Sequence, residues 1–144
     1  MANFASRLSE RLPALAAALW WGGLSVVGFI VVPLLFAHLP STSMAGRMAA
    51  TLFAAQTWVS VACTALLLVL AKRRHAEVEE PWARDVLVWV IVGMLLALLV
   101  QFGVSPRIVA RQDLKLWHSV GTLMYAVQWL CALRVLWRLC APQR

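Results

Sequence analysis

Polar residues in this chain gather between four long apolar runs: Leu12 to Phe36, Met48 to Ala71, Val86 to Val104, and Leu116 to Leu133 with a more polar tail to Cys140. A helix crossing the hydrocarbon core of a bilayer needs about 20 mostly apolar residues, and each run is close to that length. Apolarity is continuous within each run instead of alternating, which excludes a strand-built barrel. The pattern predicts transmembrane helices over about 12–38, 46–71, 85–105 and 116–139. The first run exceeds the roughly 7–15 apolar residues of a signal-peptide core and contains Pro33, so it reads as a retained helix. Its neighbours follow after short connections: Ala37 to Arg47, Lys72 to Asp85, and Ser105 to Lys115. Short connections make consecutive helices antiparallel neighbours. The expected fold is therefore all-α: a single-domain integral membrane four-helix bundle, up-down-up-down. The sequence reads without an internal repeat, a low-complexity tract or a discontinuous-helix pair of the transporter kind.

Composition agrees with that pattern. The 144 residues are 62% hydrophobic and 13% charged, against about 45–50% and about 25% in an average soluble domain. Mean hydropathy is +0.80. Such a chain is neither disordered nor an ordinary water-soluble globule.

The net charge of +7 changes the picture only through its distribution. The basic residues lie between apolar runs and form no stripe on a soluble face, so they do not predict nucleic-acid binding. One side of the predicted bundle holds Arg7, Arg11, Lys72, Arg73, Arg74, Arg84, Arg134, Arg138 and Arg144. The other holds Arg47, Arg107, Arg111 and Lys115. The positive-inside rule places the richer side, with both termini and the middle loop, in the cytoplasm of a bacterial cell with the protein in its inner membrane. Trp82, Trp117 and Trp137 sit near helix ends, where indole rings favour the headgroup level. Trp20 and Trp21 lie too deep for that. Cys63, Cys131 and Cys140 form no CxxC pair and read as packing residues.

Small and polar side chains mark contact faces between membrane helices. The small stripes Ala14, Ala18, Gly22 and Gly46, Ala50, Ala54 predict close approach of the first two helices. Helix two carries Gln56, Ser60 and Thr64 on one face. Helix three carries Gln101 and Ser105, and helix four carries His118, Thr122, Tyr125 and Gln128. At about 1.5 Å rise per residue, Gln56, Gln101, Thr122 and Tyr125 share a depth in the outer half, with His118, His38 and Arg107 above them. These residues predict an outward-opening polar pocket under a basic rim, with Gln56, Gln101, Arg107, His118, Thr122 and Tyr125 as its ligand-binding groups. The competing structural account makes them interhelical hydrogen-bond glue. No carboxylate lies at mid-membrane, which argues against a pump-type proton relay.

Metal binding is a second expectation. His118 and His38 are the candidate ligands. Imidazole with the thioethers of Met44 and Met48 suits Cu(I), although both methionines serve equally as apolar residues at a helix start. Arg107, Arg111 and Lys115 form a row that suits phosphate or lipid headgroups, or a solvated loop face paired with Asp113. The sequence has no GxSxG, GxGxxG, P-loop or HExxH.

Several short motifs carry a family resemblance: Trp21-Gly22-Gly23, Val32-Pro33 with Phe36, Ala45-Gly46 with Phe53, Pro106-Arg107-Ile108 with Arg111, and Trp117-His118-Ser119. Together they resemble the uncharacterised domain family 4149 of small bacterial membrane proteins, similar to the eukaryotic transmembrane protein 205 group. The resemblance covers nearly the whole chain. It implies four transmembrane helices and no established activity, with a loose link to drug and metal resistance. More distant is the similarity to copper resistance protein D and to the haem-carrying membrane protoporphyrinogen oxidase. The latter pattern wants an intramembrane histidine paired with a lysine on a later helix. Here Lys115 precedes His118 on the same helix.

The leading functional expectation is a non-enzymatic inner-membrane protein whose pocket binds or passes a small solute, a metal ion or a lipid. Its certain partner is the bilayer. The alternatives are a haem- or copper-binding redox protein using His118, and a structural subunit that assembles with itself or with another membrane protein.

Overall fold

The computed structural model describes residues 2–77 and 81–141, with side chains described for 10–73 and 86–141. The charges Arg7, Arg74, Arg84 and Arg144 and the belt residue Trp82 fall outside the described side chains. Among the described residues there is no strand. The first long helix is α1 (Ala2–Val26), a π segment (Val27–Val31) and α2 (Val32–His38) in unbroken succession. After Leu39 to Ser41 comes α3 (Thr42–Glu77). The third unit is α4 (Pro81–Leu99), a π segment (Val100–Val104) and α5 (Ser105–Val109). A turn through left-handed Arg111 (φ 54°) and Asp113 (φ 36°) leads to α6 (Leu114–Cys140).

Four stretches are long and apolar enough to cross a membrane: Glu10–His38, Thr42–Arg73, Val86–Val109 and Leu114–Cys140. They are spans one to four below. Each span packs on the next, and span four closes back on span one. Leu19, Phe29, Trp58, Val88, Phe102, Leu123 and Leu130 stand exposed on the outside of this ring. Apolar side chains outside and polar ones inside is the arrangement lipid favours and water penalises.

The two π segments have a common cause. Pro33 and Pro106 each stand two residues past the end of a π segment. Proline lacks an N–H, and its ring collides with the carbonyl four residues back. Widening the preceding turn relieves both: Val32 N–H donates to the Val27 carbonyl and Ser105 N–H to the Val100 carbonyl, each five residues away. The helix continues without a break.

The core is built around Trp20, which is fully buried with Ala16, Ala17, Leu24, Leu67, Val90, Cys131 and Val135. Trp20 reaches across the bundle to Gly93, where a Cβ would lie 2.5 Å from the indole ring. This corrects the small-residue expectation. Ala18 is exposed, and nothing lies within 4 Å of a Cβ placed on Gly22 or Gly46. The buried faces are Ala16, Ala17, Trp20 and Leu24 in span one, and Ala45, Ala49 and Gln56 in span two. The bulk of Trp20 and the notch at Gly93 set the rotation of these helices, and the alanine stripes are left at the side.

Against the expectation of no internal repeat stands one local likeness. Val27-x-Phe29-x-Val31-x-Pro33 recurs as Val100-x-Phe102-x-Val104-x-Pro106, and both copies fold as a π segment followed by a short α-helix. With four identities in seven positions in a valine-rich chain, the match stands out only once both copies share this unusual backbone.

Candidate functional site

Span two turns a polar spine inward. Gln56, Thr57, Ser60 and Thr64 are all buried. Lipid offers no partner for a hydroxyl, so each bonds back to its own helix. Ser60 Oγ donates to the Gln56 carbonyl (2.9 Å), Thr64 Oγ1 to the Ser60 carbonyl (2.8 Å) and Thr57 Oγ1 to the Phe53 carbonyl (3.0 Å). The Gln56 amide is held less firmly. Its Nε2 lies 3.5 Å from Ser60 Oγ, at the outer limit of a hydrogen bond. The amide rests over Gly23 of span one, where a Cβ would come 2.8 Å from Oε1.

Span four answers from the opposite side. Tyr125 Oη donates to the Leu24 carbonyl (2.7 Å), and its ring fills the notch at Gly28, where a Cβ would lie 2.6 Å away. Trp129 Nε1 donates to Ser25 Oγ (2.8 Å), whose own hydroxyl donates to the Trp21 carbonyl (2.8 Å). Trp129 also packs against Trp21 and Phe29, with centroids 5.9 and 5.7 Å apart. These bonds clamp span four to span one.

Between the spine and the clamp lies a cavity lined by Leu24, Phe53, Gln56, Thr57, Ser60, Val100, Tyr125 and Gln128. The volume open to the centre of a water molecule is about 10 Å3, roughly one molecule's worth. No lining residue is ionisable except the Tyr125 phenol. Phe53 and Tyr125 meet edge to face across it, 5.2 Å between centroids. Gln128 is 3% exposed, and among the described residues its side-chain amide makes no hydrogen bond. Among the described residues the fully buried polar side-chain atoms without a partner are Trp20 Nε1 and Trp21 Nε1, whereas Gln128 borders a cavity of about one water's size with hydrogen-bonding capacity unused.

Of the residues expected to form the pocket, the structure brings Gln56 and Tyr125 together. The others stand apart from the cavity lining. Gln101 is half-buried in the second π segment. Thr122 is exposed and donates to the His118 carbonyl (2.9 Å). His118 is exposed, and so is His38, whose Nδ1 lies 3.1 Å from the Leu34 carbonyl. Arg107 hydrogen-bonds the Gly103 carbonyl within the second π segment and stacks over Trp117 at 4.5 Å from the ring centroid. The row from His118 to Gln128 fails to keep one face for a geometric reason. At about 100° per residue, Thr122 stands about 120° round the helix from Gln128. Among the described residues no three of His, Cys, Asp and Glu come together as a metal-binding group.

Gln128 is the residue the pocket expectation left out. It stood at the foot of its row, three positions beyond Tyr125, and the grouping favoured the outer half. Yet Gln56, Tyr125 and Gln128 all fall near the middle of their spans, so the shared depth is the bundle centre.

Four apolar spans around a polar centre define a multi-pass integral membrane protein. More particularly, the chain belongs to the family described as domain of unknown function DUF4149, which matches residues 15–116. That match takes in the whole of spans two and three, nearly all of span one, and the turn into span four. No curated protein and no solved structure matches the chain.

Proposed function

We propose that the protein is a non-enzymatic component of a bacterial inner membrane that binds and passes a small, neutral, polar solute through the centre of its bundle. Its spans run up-down-up-down with both ends in the cytoplasm, and the solute enters from the outer side between the second and fourth helices. One observation carries this reading: Gln56 and Gln128, on spans two and four, are both buried and line one cavity. Buried amides in lipid are costly unless satisfied. An amide offers both donor and acceptor, which fits a neutral solute. The cavity admits only the smallest of these. Gln101 and Arg107 then belong to the approach and the rim, and the exposed Thr122 and His118 stand off that path.

The test is stopped-flow light scattering of proteoliposomes challenged with an osmotic step. Water permeability should exceed that of protein-free liposomes. It should fall to the protein-free level in the double variant Gln56→Leu, Gln128→Leu, which remains folded because apolar replacement of both partners removes the unmet polar groups together. Folded wild-type protein with permeability equal to protein-free liposomes would refute the proposal.

A further inference from the structure

The repeated V-x-F-x-V-x-P segment does not stand alone. In the spans that follow each copy, Phe53 and Gln56 recur as Tyr125 and Gln128, with the second connection one residue shorter. Positions aligned in this way meet in space. Trp20 aligns with Gly93, and its ring sits on that glycine. Phe53 aligns with Tyr125, and the two rings touch edge to face at 5.2 Å. Gln56 aligns with Gln128, and both line the same cavity. In an object with twofold symmetry, equivalent points come together only close to the axis. Three aligned pairs that meet place such an axis along the bundle and through the cavity.

We infer that spans one and two and spans three and four are two copies of one helical hairpin, and that Gln56 and Gln128, one from each copy, jointly bind a single water molecule on the axis between them. This rests on the solute reading and names its resident. Two amides present four N–H donors and two carbonyl acceptors, while the water needs about three partners. Ser60 Oγ already donates to the main-chain carbonyl of Gln56 and Tyr125 Oη to that of Leu24, so the glutamine side chains supply the remaining capacity. An ion is disfavoured because the lining holds no countercharge and an unpaired charge in low dielectric is far costlier than a polar group. Anything much beyond one water exceeds the cavity, about 10 Å3 for the centre of a water molecule.

The two copies have diverged where the second carries Trp129 in place of Thr57 and Ala132 in place of Ser60. Trp129 has been recruited to the clamp on Ser25. That divergence leaves Thr57 and Ser60 on one side against the Tyr125 phenol on the other, so the water is held asymmetrically although its two amide ligands are equivalent.

The experiment uses the full chain in detergent micelles with 15N-labelled glutamine, and reads cross-relaxation between side-chain amide protons and water. The Gln56 and Gln128 amides should both show cross-peaks to a long-lived water. Gln56→Leu should remove the cross-peak of Gln128, and Gln128→Leu that of Gln56. Gly23→Ala should weaken both at least severalfold, because its methyl displaces the flexible amide of Gln56, while Gly22→Ala, with open space around it, should leave both intact. Absence of a water cross-peak at Gln128 in folded wild-type protein overturns the inference, and that outcome needs no variant. So does a Gln128 cross-peak that survives Gln56→Leu. Permeation in proteoliposomes separates this from the broader reading. Cross-peaks without permeation leave the water site standing and sink solute passage; permeation without cross-peaks does the reverse.

Discussion

Gly93→Ala tests whether Trp20 sets the packing of this bundle. The new Cβ would fall 2.5 Å from both Cζ2 and Cη2 of Trp20, and 3.6 Å from Cβ of Cys131. Carbon pairs are comfortable at about 3.5–4.0 Å, so the ring must retreat by about 1 Å. It cannot do so by a small torsion. Trp20 is fully buried among Ala16, Ala17, Val90 and Cys131, and its indole has only two side-chain torsions to adjust. Overpacking of this kind costs about 1–3 kcal/mol. Against it stands the helix-propensity gain of about 1 kcal/mol for glycine to alanine. Gly22→Ala isolates the clash, since it has the same propensity gain and nothing within 4 Å. The unfolding equilibrium constants of the two variants, measured by SDS titration in mixed micelles, should therefore differ by about 5- to 150-fold, Gly93→Ala being the weaker. Adding Trp20→Phe to Gly93→Ala should recover part of the loss through a favourable coupling, because the smaller ring vacates the contested space. Equal stability of Gly93→Ala and Gly22→Ala would refute the reasoning, and so would a double variant whose losses simply add.

Other outcomes follow from single contacts. Tyr125→Phe removes the bond to the Leu24 carbonyl and should lower stability by about 0.5–1.5 kcal/mol in the same titration; no change would mean the hydroxyl is not part of the clamp. Pro33→Ala restores the missing N–H and should return residues 27–31 to ordinary α geometry, seen as amide hydrogen-exchange protection gained at position 33 and chemical shifts moved around Gly28. In a Cys140→Ser background, cysteines placed at Ser43 and Gln112 should label from outside the cell and one at Lys72 only after permeabilisation; the opposite result would invert the topology. Purified protein should show no Soret absorbance, since His118 stands exposed outside the core; a Soret band lost in His118→Ala would establish haem ligation.

The four spans were legible because crossing a bilayer leaves a length and an apolarity that composition alone reveals. The helix faces were legible only in part. On span two the polar row Gln56, Ser60 and Thr64 marked the side that is buried, whereas span one offered little beyond its small-residue stripe. That guide pointed to Ala14, Ala18 and Gly22 on span one, whereas the buried side holds Ala16, Ala17, Trp20 and Leu24. The deciding event was the mating of one large ring with one distant glycine, and no local pattern on span one announces a partner on span three. The polar site was half legible for a related reason. Buried glutamines are conspicuous in an apolar run, so Gln56 stood out. Grouping residues by row and approximate depth then drew in His118 and Thr122, which helical rotation carries away from the interior.

The duplicated hairpin accounts for why the site lies at the centre instead of at the mouth. If two equivalent hairpins pack about an axis, residues that meet their own counterparts are confined to that axis, and everything else is free to diverge. Trp20 with Gly93 and Phe53 with Tyr125 show divergence into complementary shapes: ring against notch, edge against face. Gln56 and Gln128 have not diverged. Two identical amides across an axis gain nothing from complementary bulk. They gain only by sharing a third body between them, and in lipid an amide left without one carries the full cost of an unmet polar group. A pair held only as mutual glue would be expected to bond directly, as Trp129 does to Ser25 (2.8 Å). Gln56 instead bonds weakly to its own helix at 3.5 Å, and among the described residues Gln128 makes no side-chain bond. Spare hydrogen-bonding capacity on both sides of one small cavity is the property that separates a binding pair from interhelical glue.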